Sequence, residues 1–178
     1  RREFRVDWDQ ILFRKIYHFW QRLWAPPPDH ERLARTSWLK DLAPRLGLLA
    51  KALTGRPIQI YRAEAEGGLA PSTFFLPESF GSFGSLEENQ KAYLFRLCFL
   101  SAQVLLYPPR PSQDAQPPAL GPSEIQTILR RMWDEWPGLL PWAADLLHKA
   151  EEASEAGDPT LLRGLFGKRI NDDDFSHV

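Results

Sequence analysis

Four histidines and one cysteine are the side chains here best suited to metal binding or nucleophilic attack, and their spacing works against both. His18, His30, His148 and His177 stand far apart, with no HExxH, no His-x-His pair and no second cysteine to join Cys98. A metal site needs several donors converging on one point, so no metal is expected and each histidine reads as a surface or satisfied side chain. Cys98 falls within a strongly apolar run, where burial raises a thiol's pKa and makes it inert; it is expected in the core. The stretch Gly81-Ser82-Phe83-Gly84-Ser85 precedes a helical pattern, an arrangement that can hold a phosphate on helix N-terminal amides. It lacks both the P-loop lysine and the GxGxxG spacing, so an ordinary loop and cap is expected instead. Asp172, Asp173 and Asp174 lack the glycine and distal glutamate of an EF-hand loop and read as a solvated run. No cofactor and no catalytic residue is expected, and the reading is of a protein that is not an enzyme. The rival is a hydrolase or transferase with a site assembled from scattered Asp, His and Ser residues, which a deep polar pocket with shifted carboxylates would favour.

The elements that would have to position any such group are mostly helices. From Asp7 or Asp9, the apolar residues Trp8, Ile11, Leu12, Phe19, Trp20, Leu23 and Trp24 recur at three- and four-residue steps, predicting an amphipathic helix that stops at Pro26-Pro27-Pro28. Asp29 is placed to cap a second helix through Leu33, Trp38, Leu39 and Leu42, which Pro44 breaks or kinks. The helical pattern resumes through Leu46, Leu49, Ala50 and Leu53 and ends at Gly55, a residue that tolerates the left-handed backbone beyond a helix C-terminus. Ile58 to Tyr61 alternates as a strand, and Gly67-Gly68 offers a turn toward a second extended piece, Thr73 to Leu76, so a small antiparallel hairpin is expected. Ser85, with Glu88 three residues on, forms a capping box for a helix from Leu86 to about Leu106. Apolar nearly all round, that helix is expected at the centre of the core. Pro108 to Pro122 reads as an exposed connection. Ser123 is expected to cap a helix through Trp133 and Trp136, Pro137 and Pro141 to introduce another with Trp142, Leu146 and Leu147, and Gly157-Asp158-Pro159 to precede a last short helix, Thr160 to Phe166.

The fold class that follows is mainly α (α+β): a helical domain with a small antiparallel β-hairpin. One domain over 1–170 is expected, with 171–178 as an acidic tail or the start of a linker. At 178 residues, 43% of them hydrophobic, the chain has material for a core without disulfides. The lone cysteine gives no sign of an oxidising compartment, so a cytoplasmic location is expected. The longest apolar run, Tyr93 to Tyr107, is interrupted by Arg96 and Gln103 and falls short of a membrane span. No signal peptide is visible, and an opening without methionine suggests a processed chain or a piece of something longer.

Charge is divided unevenly. Residues 1–62 hold 13 basic and 6 acidic side chains, net +7, and residues 63–178 hold 9 and 17, net −8. The arginines of the basic half are scattered singly among leucines and tryptophans, without a Lys/Arg block, so nucleic acid is not an expected partner. Two halves attracting each other across an internal interface, or simply solvated faces, account for the split. Most of the seven tryptophans are expected in the core. Trp133 and Trp136, three apart beside Arg130 and Arg131, also suggest a partner-facing patch.

The stretch from Leu48 through Thr54-Gly55-Arg56-Pro57-Ile58-Gln59-Ile60, then Thr73-Phe74-Phe75-Leu76-Pro77-Glu78, then a helix carrying Tyr93-Leu94-Phe95-Arg96, resembles the N-terminal region of NorD/CbbO-type proteins. These are von Willebrand factor A proteins that partner MoxR-type AAA+ ATPases, and the resemblance covers residues 30 to 106. The Asp-x-Ser-x-Ser metal motif of their von Willebrand domain does not occur in this sequence. Where family helices often hold histidines, this chain has Cys98, Ser101 and Gln103, so no metal role is carried over. The resemblance implies a non-catalytic adaptor coupling a MoxR-type ATPase to a client enzyme, such as a nitric oxide reductase needing maturation or an inhibited Rubisco needing remodelling. A stand-alone protein-binding scaffold is the alternative. The surfaces proposed for partners are the Gly81 to Ser85 loop with Phe83, the proline-rich loop at Arg110, and the face of Arg130, Trp133 and Trp136.

Overall fold

About two-thirds of the residues described by a computed structural model of the protein, 30–63, 67–108 and 120–167, lie in helices. In chain order the elements are α1 (His30–Arg35), β1 (Ser37–Trp38), α2 (Leu39–Thr54), β2 (Gln59–Arg62), β3 (Gly68–Ala70), β4 (Thr73–Leu76), β5 (Ser79–Phe80), α3 (Leu86–Leu106), α4 (Pro122–Glu135), a 3₁₀ turn (Pro137–Leu139), α5 (Leu140–Glu155) and α6 (Thr160–Phe166). The chain divides into two units, Arg1–Leu33 and Ala34–Val178. The expected aromatic helix of residues 8–24, His18, His177, Arg110 and the acidic tail lie outside the described residues.

The helix α3 organises the second unit because its sequence leaves no polar face to give to water. Twelve of its residues are buried, and α2, α4, α5, α6 and β4 all pack on it. Phe95 and Phe99 meet Phe166 of α6 edge to face, with ring centroids 5.6 and 5.1 Å apart; each such ring contributes roughly 2–3 kcal/mol through burial. Its start is fixed by the capping box read from sequence: Ser85 Oγ accepts from the Glu88 amide, and the Glu88 carboxylate accepts from the Ser85 amide.

Two helix boundaries differ from the sequence expectation. The second helix does not run from Asp29 to Pro44; the chain leaves α1 at Arg35, pairs Ser37 and Trp38 with β5, and enters α2 at Leu39. Pro44 lies inside α2 without ending it. Only the Pro44 to Lys40 bond is lost there, and Lys40 is exposed, so water can serve the carbonyl left over. The first amide of α2, from Leu39, donates to the carbonyl of Glu78 at 3.0 Å, so a tertiary bond supplies a cap where Trp38 offers none. In α4, Pro122 rather than Ser123 opens the helix, with Gly121 as N-cap; proline's missing N–H costs nothing at that position.

The antiparallel hairpin is present, built from β3 and β4, with Leu69 opposite Phe74. The Ile58 to Tyr61 stretch joins it differently from the expected pairing. β2 runs parallel to β4, on the far side from β3, with Ile60 beside Phe74 and Tyr61 beside Phe75, giving the order β2-β4-β3. The chain between β2 and β4 is spent on forming β3, which returns β4 to the direction of β2.

Candidate interaction surface

The buried polar side chains near the start of α3 are committed to holding the fold. Asn89 is fully buried, and its carboxamide accepts from the Phe83 amide at 3.1 Å. Its nitrogen donates to the carbonyls of Arg35, Phe83 and Ser85 at 2.9, 3.2 and 2.8 Å. One side chain thus pins the end of α1, the Gly81–Ser85 loop and the first turn of α3. Tyr93 Oη donates to the Pro77 carbonyl at 2.8 Å, its ring meets Phe80 edge to face, and burial pushes its pKa up. Arg96, 2% exposed, donates to the Leu165 carbonyl at 3.2 Å, placing its charge at the negative end of α6.

The same geometry explains why the Gly81–Ser85 loop is an ordinary cap. The Glu88 carboxylate accepts from the Ser85 amide while Ser85 Oγ accepts from the Glu88 amide, so the capping box uses both groups. Lys149 of α5 reaches that carboxylate at 2.5 Å and also meets Asp145 at 2.8 Å. The hydrogen bond from Lys149 holds the Glu88 carboxyl below the usual carboxylate range, against a smaller push upward from partial burial. Lys149 is raised in turn by Asp145 first and then Glu88. Burial pushes the Cys98 thiol up to about 12, leaving almost no thiolate near neutral pH. Cys98 and Ser101 are buried in the core, and Gln103 is half-buried beside them on α3. Among the described residues, no group of three His, Cys, Asp or Glu side chains could hold a metal ion.

Of the partner-facing residues proposed from sequence, Phe83 is corrected outright: its ring is 2% exposed and belongs to the core, drawn inward by the two bonds between its backbone and Asn89. Arg130 is exposed on α4, whereas Trp133 and Trp136 are half-buried against the core beside Ile125, Ile128 and Met132. Those indoles serve packing first. His30 and His148 are exposed, the latter 3.3 Å from Glu152.

The sheet, not α4, carries the aromatic surface. Phe74 and Leu76 are wholly buried toward α3, so alternation turns Phe75 outward at 36% exposure, next to Tyr61 at 53%. The two rings stack with centroids 6.4 Å apart and planes 30° from parallel. β2 is an edge strand. The amides of Gln59 and of Ala63, just past β2, donate to the carbonyls of Ser72, just before β4, and Leu76, so Ile60 and Arg62 turn their backbone N–H and C=O groups away from β4. Arg62 pairs with Glu78 at 2.9 Å, both side chains well exposed. An aromatic pair beside an edge strand can receive an extended segment, with rings gripping side chains and the edge supplying main-chain bonds. Sequence reasoning passed over Tyr61 and Phe75, although the signal was present: each takes the outward position in an alternating run whose other positions hold Ile58, Ile60, Phe74 and Leu76.

No helix among the described residues is long and apolar enough to cross a membrane. No family model, no curated protein and no solved structure matches this chain.

Proposed function

We propose that this chain is a non-catalytic adaptor or client-recognition domain of a MoxR-type AAA+ ATPase system. The observation that carries the protein-binding reading is the stacked, solvent-facing pair Tyr61 and Phe75 beside the edge strand β2. Aromatic rings held in place by a sheet lose little entropy on contact and dominate binding energy at protein interfaces. The ATPase assignment rests on the resemblance over residues 30 to 106, whose quoted segments fall on the following elements. Gly55 closes α2 in the left-handed conformation at φ 71°, β2 follows Pro57, β4 ends at Leu76-Pro77, and the apolar α3 comes next. In this reading the ATPase supplies the work and this chain brings the client to it, an enzyme such as a nitric oxide reductase or a Rubisco. Dependence on ATP implies a cytoplasmic setting.

The test is retention of a purified MoxR-type ATPase on the immobilised chain, with and without ATP. Retention that changes with nucleotide and drops when Tyr61→Ser and Phe75→Ser are combined supports the adaptor. A folded chain that retains no ATPase in either state removes it.

A further inference from the structure

Among the described residues, few ion pairs join the basic and acidic halves of the sequence. If the basic and acidic halves neutralised each other internally, ion pairs would join residues 1–62 to residues 63–178. Between described residues the only ion pair to do so is Arg62–Glu78, and it is exposed. The remaining pairs are formed within the acidic half, by Lys91, Arg131, His148 and Lys149.

Among the described residues, exposed charges outside these ion pairs include a group on each of two helices. On the solvent side of α2, Leu48 is 72% exposed, and Arg45 and Lys51 stand three residues before and after it, neither in an ion pair among the described residues; the exposed carboxylate of Asp41, two turns before Leu48, is the one acidic group on that side. Pro44 and Ala52, four residues to either side of Leu48, extend an apolar stripe along the same exposed face. On the solvent side of α5, Glu151 and Glu155 are exposed, one turn apart, and unpaired among the described residues. Like charges at that spacing repel, and both sit in the last turns of a helix, where the backbone dipole already disfavours an anion. A cationic surface laid over them would relieve both penalties. The two helices are each 16 residues long. Both pack on α3 and present these side chains away from it, so one copy cannot bring its own two faces together.

We propose that the chain associates with a second copy of itself, the Arg45/Leu48/Lys51 face of α2 docking on the Glu151/Glu155 face of α5. The occupant is argued from charge complementarity: the acidic helix that matches the basic face of α2 is carried by the same chain. Because the two faces differ, the contact is either made twice across a two-fold axis, α2 on α5 and α5 on α2, or made once, head to tail, building a closed ring or an open chain.

Sedimentation velocity on the full chain over a range of concentrations tests this at about 50 mM and about 500 mM salt, because exposed charge pairs are screened as salt rises. Reversible association at low salt, weakened about tenfold or more at high salt, is expected. The double variants Arg45→Glu/Lys51→Glu and Glu151→Lys/Glu155→Lys should each stay at the monomer mass of 20.5 kDa, and circular dichroism should report both folded, since all four positions are at the surface. Mixed together, the two variants should associate again, because each supplies the face the other now needs. A wild-type chain monomeric throughout at low salt overturns the proposal. So does association that the variants leave unchanged, or a failure of the mixture to recover it; binding of an unrelated acidic peptide to α2 without self-association counts against it equally.

Discussion

Asn89 is the residue on which the junction of α1, the loop and α3 depends. Replacing it by alanine removes four hydrogen bonds and leaves the buried Phe83 amide, among others, without a partner, so urea denaturation of Asn89→Ala should show a loss of about 2–4 kcal/mol. Cys98 gives a second expectation. With its thiol buried and pushed up to about 12, it should resist a water-soluble thiol reagent at pH 7–8 and react once the chain is unfolded. Glu88 gives a pH dependence whose sign follows from its depressed folded pKa. Such a carboxylate contributes stability above its unfolded value, near 4.5, and that contribution is lost as pH falls through the lower folded value. Thermal melts from pH 6 to pH 2 should therefore fall less steeply for Glu88→Gln than for the parent chain, with the two curves converging at the acid end. The capping box was legible in the sequence because Ser85 and Glu88 are close in the chain. The role of Asn89 was not, because the Arg35 carbonyl it serves is 54 residues away.

At the scale of elements, local chemistry was readable and pairing was not. The limits of α3 and α6 and the stop at Gly55 follow from caps, prolines and periodicity, and they occur where the sequence placed them. The parallel pairing of β2 with β4 escaped because Leu69 and its two neighbours are too short a run to announce a strand between them. Pro44 misled for a related reason, since a proline near a helix start disturbs only one bond. Glycines separate two kinds of turn. Gly55→Ala places a methyl where nothing lies within 4 Å but keeps the left-handed backbone, a cost of about 1–2 kcal/mol. Gly67, at φ 83°, combines that strain with a collision between the new methyl and the Phe75 carbonyl. Gly67→Ala should accordingly cost more than Gly55→Ala in a denaturant titration, and it should increase hydrogen exchange in β3 and β4 before α3 is affected.

For the whole molecule, the sequence made the fold class plain because a 21-residue apolar helix can only be satisfied by surrounding it. The candidate interaction surface was less plain. Tryptophans draw attention as binding residues, yet Trp133 and Trp136 are large enough to be needed for packing, while the smaller Tyr61 and Phe75 are left outside by strand alternation. Composition ranks residues by what they are able to bury; topology decides which of them are spared. Protein binding through the outer face of the sheet is the central claim, and direct titration of a purified MoxR-type ATPase into the chain, with a slowly hydrolysed ATP analogue present, tests it most directly. A saturable complex is predicted, weakened at least tenfold by Tyr61→Ser/Phe75→Ser, which corresponds to about 1.4 kcal/mol or more, with the variant still folded. Binding of equal strength in parent and variant, or no binding by a folded parent chain, would contradict it.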